Sequence, residues 1–155
     1  MKNPQITIFA KQAGVEMTPH TKRSDNRPNE GRIALRFFRL ESGGTSLRFI
    51  IEPAEAFDLC LRMVKVHAEG GKESLSHRFE ANGSEVLSKL TIERYTRNGK
   101  HGFALGLQRG SEEINVPTTS ERFLHAAEFL RHLSLREAWV EEAERGAQGM
   151  ENSRE

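Results

Sequence analysis

Between Gly31 and Glu52 the apolar residues recur at every second position. Ile33, Leu35 and Phe37 fall on one side, and Arg32, Ala34, Arg36 and Phe38 on the other. This period predicts a strand over RIALRFFRLE, a glycine-bearing turn in ESGGTS and a second strand over SLRFII. In the second strand Leu47, Phe49 and Ile51 continue the core side, leaving Arg48 and Ile50 opposite. The period then lengthens. In 52-EPAEAFDLCLRMVKVHAEGG-71, Pro53 suits a first helical turn, Glu52, Glu55 and Asp58 suit its positive end, and Gly70-Gly71 suit its stop. Phe57, Cys60, Leu61, Val64 and Ala68 are expected to form the face that packs on the sheet.

Three more strands follow. ESLSHRFE sets Leu75, His77 and Phe79 against Ser74, Ser76 and Arg78. EVLSKLTIERYTR sets Leu90 and Ile92 against Lys89, Thr91, Glu93, Tyr95 and Arg97. KHGFALGLQRG sets Phe103, Leu105 and Leu107 against Gly102, Ala104 and Gly106. Asn82-Gly83 and Asn98-Gly99 are hairpin turns, and EINVP reads as an edge strand. From Thr118 to Arg145 the pattern is helical, with capping boxes at Thr118-x-x-Glu121 and Ser134-x-x-Glu137, the second marking a kink or restart. Phe123, Leu124, Ala126, Ala127, Phe129, Leu130, Leu133 and Leu135 span more than the usual ~100° apolar stripe. Such a helix is either deeply embedded or shared with a second subunit. The second reading is favoured: a homodimer or higher homo-oligomer through residues 120–145, extended by Trp139 and Val140. The alternative is that Trp139 covers the sheet edge.

The pattern defines an α+β domain over 31–145, an antiparallel sheet packed on one face by helices. Before it, residues 1–30 hold one short strand, QITIF, and a polar stretch with Pro19 and Pro28, expected to be an N-terminal arm or linker. After it, 146–155 is expected to be a disordered tail. One cysteine, Cys60, allows no internal disulfide, no apolar run nears the ~20 residues of a membrane span, and MKNPQITIFAKQAGVEM has no signal-peptide core. A soluble, cytoplasmic protein is expected.

The net charge of +1 hides its distribution. Lys/Arg against Asp/Glu run five to three in 1–30, thirteen to eleven in 31–119 and five to eight in 120–155. No segment is basic enough to announce a polyanion by itself. The non-core strand positions are different: collected on one surface, they carry seven basic residues and one acidic, Glu93. Arginines and lysines among scattered aromatic and aliphatic residues suit a single nucleic-acid strand. The cations meet phosphates, and the rings meet bases, at ~1–3 kcal/mol per stacked base. Phe38, Tyr95 and Ile50 are the base contacts in this reading, and Arg32, Arg36, Arg48, Arg78, Lys89, Arg97 and Lys100 the backbone contacts. The small stripe Gly102/Ala104/Gly106 would leave backbone open to a ligand. The plainer alternative is a solvated face whose arginines pair with glutamates across strands.

Little points to catalysis. None of the six histidines lies in HxxxH or HExxH, CxxC is absent, and there is no Walker loop, GxGxxG or GxSxG. His77, among apolar neighbours, reads as a core residue. Neither enzyme activity nor a metal or cofactor is expected.

RIALRFFRLE, SLRFIIEPAEAF, KLTIERYTRNGKHGFALGL and TTSERFLHAAEFLRHLSLREAWV together resemble the ThermoDBP-related single-stranded DNA-binding proteins of thermophilic archaea, over about residues 31–145. That resemblance implies a curved sheet with a basic groove, assembly through the C-terminal helix, and single-stranded DNA binding of low sequence preference in replication and repair. A more distant likeness is to the Whirly proteins, whose sheets also bind single strands. Two other readings remain: a single-stranded RNA-binding module, and a structural or protein-interaction domain that dimerises through its C-terminal helix.

Overall fold

A computed structural model describes residues 2–142. Its elements in chain order are β1 (Ile6–Phe9), β2 (Ala13–Ser24), β3 (Arg27–Arg39), β4 (Ser46–Ile51), α1 (Pro53–Glu69), β5 (Gly71–Ala81), β6 (Ser84–Arg97), β7 (Lys100–Arg109), β8 (Glu112–Thr118) and α2 (Ser120–Arg136). They form two antiparallel four-stranded sheets, β1-β2-β3-β4 and β5-β6-β7-β8. The α+β class is as expected, with two sheets in place of one.

Alternation builds both sheets. Ile8, Val15, Phe37 and Leu47 form one cross-strand row of the first, and Leu75, Leu90, Leu107 and Ile114 one row of the second. These sides join the inner faces of both helices in a single hydrophobic cluster. Each sheet therefore has one side in a common core. Asn82-Gly83 and Asn98-Gly99 make the expected turns with positive φ at both residues, the pair of conformations a two-residue hairpin requires.

Residues 13–30 are not an arm. Val15 and Met17 are completely buried, and β2 pairs with β3 from Ala13↔Arg39 to Ser24↔Arg27. Asn26, with φ 62°, turns the hairpin. Pro19 is accommodated because β1 pairs with β2 only as far as Met17. Beyond that point β2 is an edge strand, where a missing N–H does no harm.

Both helices depart from expectation in register. In α1 the buried residues are Ala56, Leu59, Cys60, Met63 and Val66, while Phe57, Leu61 and Val64 stay exposed, Leu61 at 54%. The helix carries two apolar stripes, and the less conspicuous one faces the core. In α2, Phe123, Ala126, Ala127, Leu130 and Leu133 are buried within the chain against α1 and the sheets, so embedding accounts for most of its wide apolar arc; Leu124 and Phe129 are half-buried and Leu135 is exposed. Its N-cap is Thr119, one residue later than expected, accepting from the Arg122 N–H at 3.3 Å. The helix ends at Arg136, with no restart among the described residues.

The chain then turns back as a strap. The Gly31 N–H donates to the Trp139 carbonyl at 3.0 Å, the Glu141 N–H donates to the Asn29 carbonyl at 2.8 Å, and Glu30 bridges Val140. Because β4 pairs with β3 only from Ile33 onward, the strap takes the vacant edge next to it. Trp139 thus covers a sheet edge. The tail over 146–155 lies outside the described residues.

Candidate nucleic-acid interface

Alternation places the ten candidates correctly: none is buried, and each sits on the side of its strand turned away from the core. They do not share one surface. Arg32, Arg36, Phe38, Arg48 and Ile50 belong to the outer side of the first sheet; Arg78, Lys89, Tyr95, Arg97 and Lys100 belong to that of the second. Since both inner sides enter the same core, the outer sides diverge.

Two arginines of the first outer side are neutralised by residues that sequence reading had set aside as an arm, while Lys22 and Arg48 keep it basic. Register sets Glu16 beside Arg36 and His20 beside Arg32. Arg36 Nε lies 2.8 Å from Glu16 Oε1, and Arg32 is held 3.0 Å from Glu30. Phe38 is also engaged. Its ring lies across Gly14, where any side chain would collide with it, and Phe9 meets it edge-on at 6.0 Å. The Arg36 guanidinium stands 4.7 Å from its centroid. Arg48 is the exception: directly opposite Arg36 in register, it has among the described residues one side-chain partner, His20 at 3.2 Å.

On the second outer side Arg78 pairs with Glu85 at 3.3 Å. Lys89, Arg97 and Lys100 have no carboxylate within 4 Å among the described residues. Arg97 and Lys100 are direct cross-strand partners beside the Asn98-Gly99 turn, a like-charge pair that costs stability until an anion joins it. The small-residue stripe is not open backbone. The Tyr95 ring covers Gly102 so closely that a Cβ there would strike it, Asn115 Oδ1 flanks Gly106, and Ala104 is buried. Glu85, Glu93 and Glu113 share this side with the cations, so its basic surplus is small.

The two candidate sets meet in one place. Where β4, the edge of the first sheet, approaches β5, β6 and β7, a cleft of about 320 Å³ is lined by Arg48, Phe49, Ile50, His77, Arg78, Phe79, Ser88 and Arg109. His77 stacks on Phe49 at 4.3 Å and shares a 2.6 Å hydrogen bond with Glu55, which fixes its ring in the cleft wall. Arg109 ties the two sheets together. It donates to Ser88 Oγ at 2.9 Å and to the Arg48 carbonyl, with its guanidinium 5.3 Å from the Phe79 centroid.

Comparison with solved structures gives this architecture relatives. The chain superimposes on the plant transcriptional regulator PBF-2 with a TM-score of 0.56 at 16% identity, over 86% of this chain and 81% of that one. It superimposes on WHY1 from Arabidopsis thaliana with a TM-score of 0.57 at 15% identity, over 89% and 86%. The fold is theirs. No family model matches the sequence, and no curated protein matches it either. The structural likeness falls on the Whirly resemblance; the archaeal one rests on sequence alone.

With this fold, the residues that alternation missed come into view. Phe79 has the strand parity of a core residue, yet it is 40% exposed, on the part of the β5–β6 hairpin that runs past the end of β7, whose pairing with β6 stops at Ser88. Phe9, 62% exposed, sits at the end of β1. Neither signal was available without the packing of the two sheets.

Proposed function

We propose that the chain binds single-stranded nucleic acid, DNA in the first instance, with little sequence preference. One observation carries the reading: guanidinium groups from both sheets, Arg48, Arg78 and Arg109, converge on an apolar cleft that also presents the rim of Phe79 and the side of Ile50. A strand crossing from one sheet to the other would insert a base there and lay its phosphates along Arg48 and Arg78. Lys89, Arg97 and Lys100 extend the path over the second sheet. Ring stacking and phosphate pairing tolerate any sequence, whereas a duplex hides its bases from such a cleft. The fold shared with WHY1 supports the reading through the Whirly resemblance, and a place in replication and repair is what the archaeal resemblance adds.

The test is fluorescence anisotropy with a labelled oligo-dT of about 20 nucleotides, its duplex form and the matching oligo-U. Binding to the single strand alone is expected, and five neutralised phosphates would give a slope of log K against log salt of roughly −3.5. Equal binding of duplex, or a flat salt response, would overturn it. Preference for oligo-U would turn the assignment to RNA.

Self-association moves from α2 to α1 in this reading. Ala54, Phe57, Leu61, Val64 and Ala68 alternate at spacings of three and four residues on the exposed side of α1, the seam a second helix fills. Asp58 and Lys65 flank the seam on the same side, so an antiparallel pairing of two copies sets unlike charges against each other. Sedimentation should report a dimer or larger that Leu61→Glu reduces to a monomer; an unchanged mass would reject the seam.

A further inference from the structure

His20 stands among three arginines. Register puts it opposite Arg32 on β3, Arg48 reaches it from β4, Arg23 lies three residues along β2, and Lys22, opposite Glu30, shares its side of the strand. The nearby carboxylates are committed, Glu16 to Arg36 and Glu30 to Arg32. On the other flank of His20 is a recess of about 440 Å³ lined by Asn3, Gln5, Thr18, Pro19, Thr21 and Arg23, where β1 no longer covers β2. Amide, hydroxyl and guanidinium groups thus surround an open space, and none of the lining residues is acidic.

The contact between His20 and Arg48 is informative about protons. A guanidinium only donates, so His20 Nδ1, 3.2 Å from the Arg48 terminal nitrogen, is the acceptor and carries no hydrogen. Burial, and then the positive charges of Arg48, Arg23 and Arg32, hold the His20 imidazole below its ordinary value of 6.5. Adding a proton at Nδ1 would abolish the hydrogen bond and leave two adjacent cations, an arrangement that becomes favourable when an anion lies between them.

We infer that His20 and Arg48 form a proton-linked clamp for a phosphodiester of the bound strand, the recess beside them admitting the phosphate oxygens. The inference rests on the single-strand reading above and adds a site and a regulator to it. Without ligand, neutral His20 holds the Arg48 guanidinium in place. When a phosphate enters, it raises the affinity of His20 for a proton, and both side chains then donate to it. By linkage the effect is reciprocal: affinity is greatest below the His20 value in the free protein, and falls as pH rises from there through its higher value in the bound state. A rise of about one pKa unit on binding gives up to about tenfold in affinity across that range.

The experiment measures oligo-dT anisotropy between pH 5.5 and 8 at constant salt for the wild-type protein, His20→Gln and Arg48→Gln. Glutamine keeps a hydrogen-bonding side chain and does not titrate. Thermal midpoints over the same range verify folding, and His77→Gln controls for the histidine in the cleft. The expected result is a several-fold tightening for wild type towards pH 5.5 that His77→Gln keeps and both clamp variants lose. A pH response that His20→Gln retains, or a flat wild-type profile with tight binding, overturns the clamp while leaving the single-strand reading intact. Absence of oligonucleotide binding at every pH overturns both.

Discussion

Each sheet is a four-stranded antiparallel meander with one side in the common core, but their outer sides differ in what surrounds the cations. On the first, Arg36 and Arg32 are matched by Glu16 and Glu30 from neighbouring strand positions, and Phe38 is wedged between Gly14, Phe9 and Arg36. On the second, Lys89, Arg97 and Lys100 stand without carboxylates within reach among the described residues; both sheets oppose two cations in register, Arg97 with Lys100 here and Arg36 with Arg48 there, but only in the first does a glutamate take one of the two. The contrast shows that an arginine on a strand says little about binding until its cross-strand neighbour is known. An exposed ion pair contributes about 0.2–1 kcal/mol to stability, and a cation already so matched has less to offer a phosphate. The first sheet's contribution is then concentrated at its edge, in Arg48.

The largest effect should come where the sheets meet. Phe79→Ala removes the exposed ring of the cleft, and at ~1–3 kcal/mol per stacked base oligo-dT binding should weaken by about tenfold or more. A loss under twofold would show that the strand avoids the cleft. Next, Arg97→Ala with Lys100→Ala should lower the magnitude of the salt slope by about 1.4, one phosphate contact for each cation. The unfolding temperature should hold or rise, since a like-charge pair is relieved. Equal slopes for this variant and the wild type would remove the second sheet from the path. The smallest effect is expected from Arg36→Gln. Affinity should stay within about twofold because Glu16 already holds that charge, while stability drops by about 1 kcal/mol or less. If Arg36→Gln were the most damaging of the three, the contrast between the sheets would be reversed.

The strands between Gly31 and Thr118 were legible from alternation because their core sides read without interruption: Ile33, Leu35, Phe37; Leu90, Ile92; Phe103, Leu105, Leu107. The strand at Ala13–Ser24 was not, because Pro19 and the charged outer positions disguise Val15 and Met17. Its omission mattered for the site, since that strand brings Glu16 and His20. In α1, Ala56-Leu59-Met63-Val66 competes with Phe57-Leu61-Val64 for the core, and hydrophobicity alone chose the wrong stripe. Site candidates were assigned correctly to the outer sides, but the division between two sheets depends on strand order, which a period of two does not encode. Phe79 required still more: the length by which a hairpin overhangs its neighbour.

The strap from Glu137 to Glu141 has a consequence for how the molecule is made. It closes the edge of a hairpin whose turn lies at Asn26, so residues synthesised early wait for residues on the order of a hundred positions later. Until then, the backbone at Asn29 and Gly31 presents an open strand edge to any other chain in the vicinity. Folding of the first sheet is accordingly tied to completion of the second, and a chain stalled before Trp139 would carry every proposed contact residue and still expose an adhesive border.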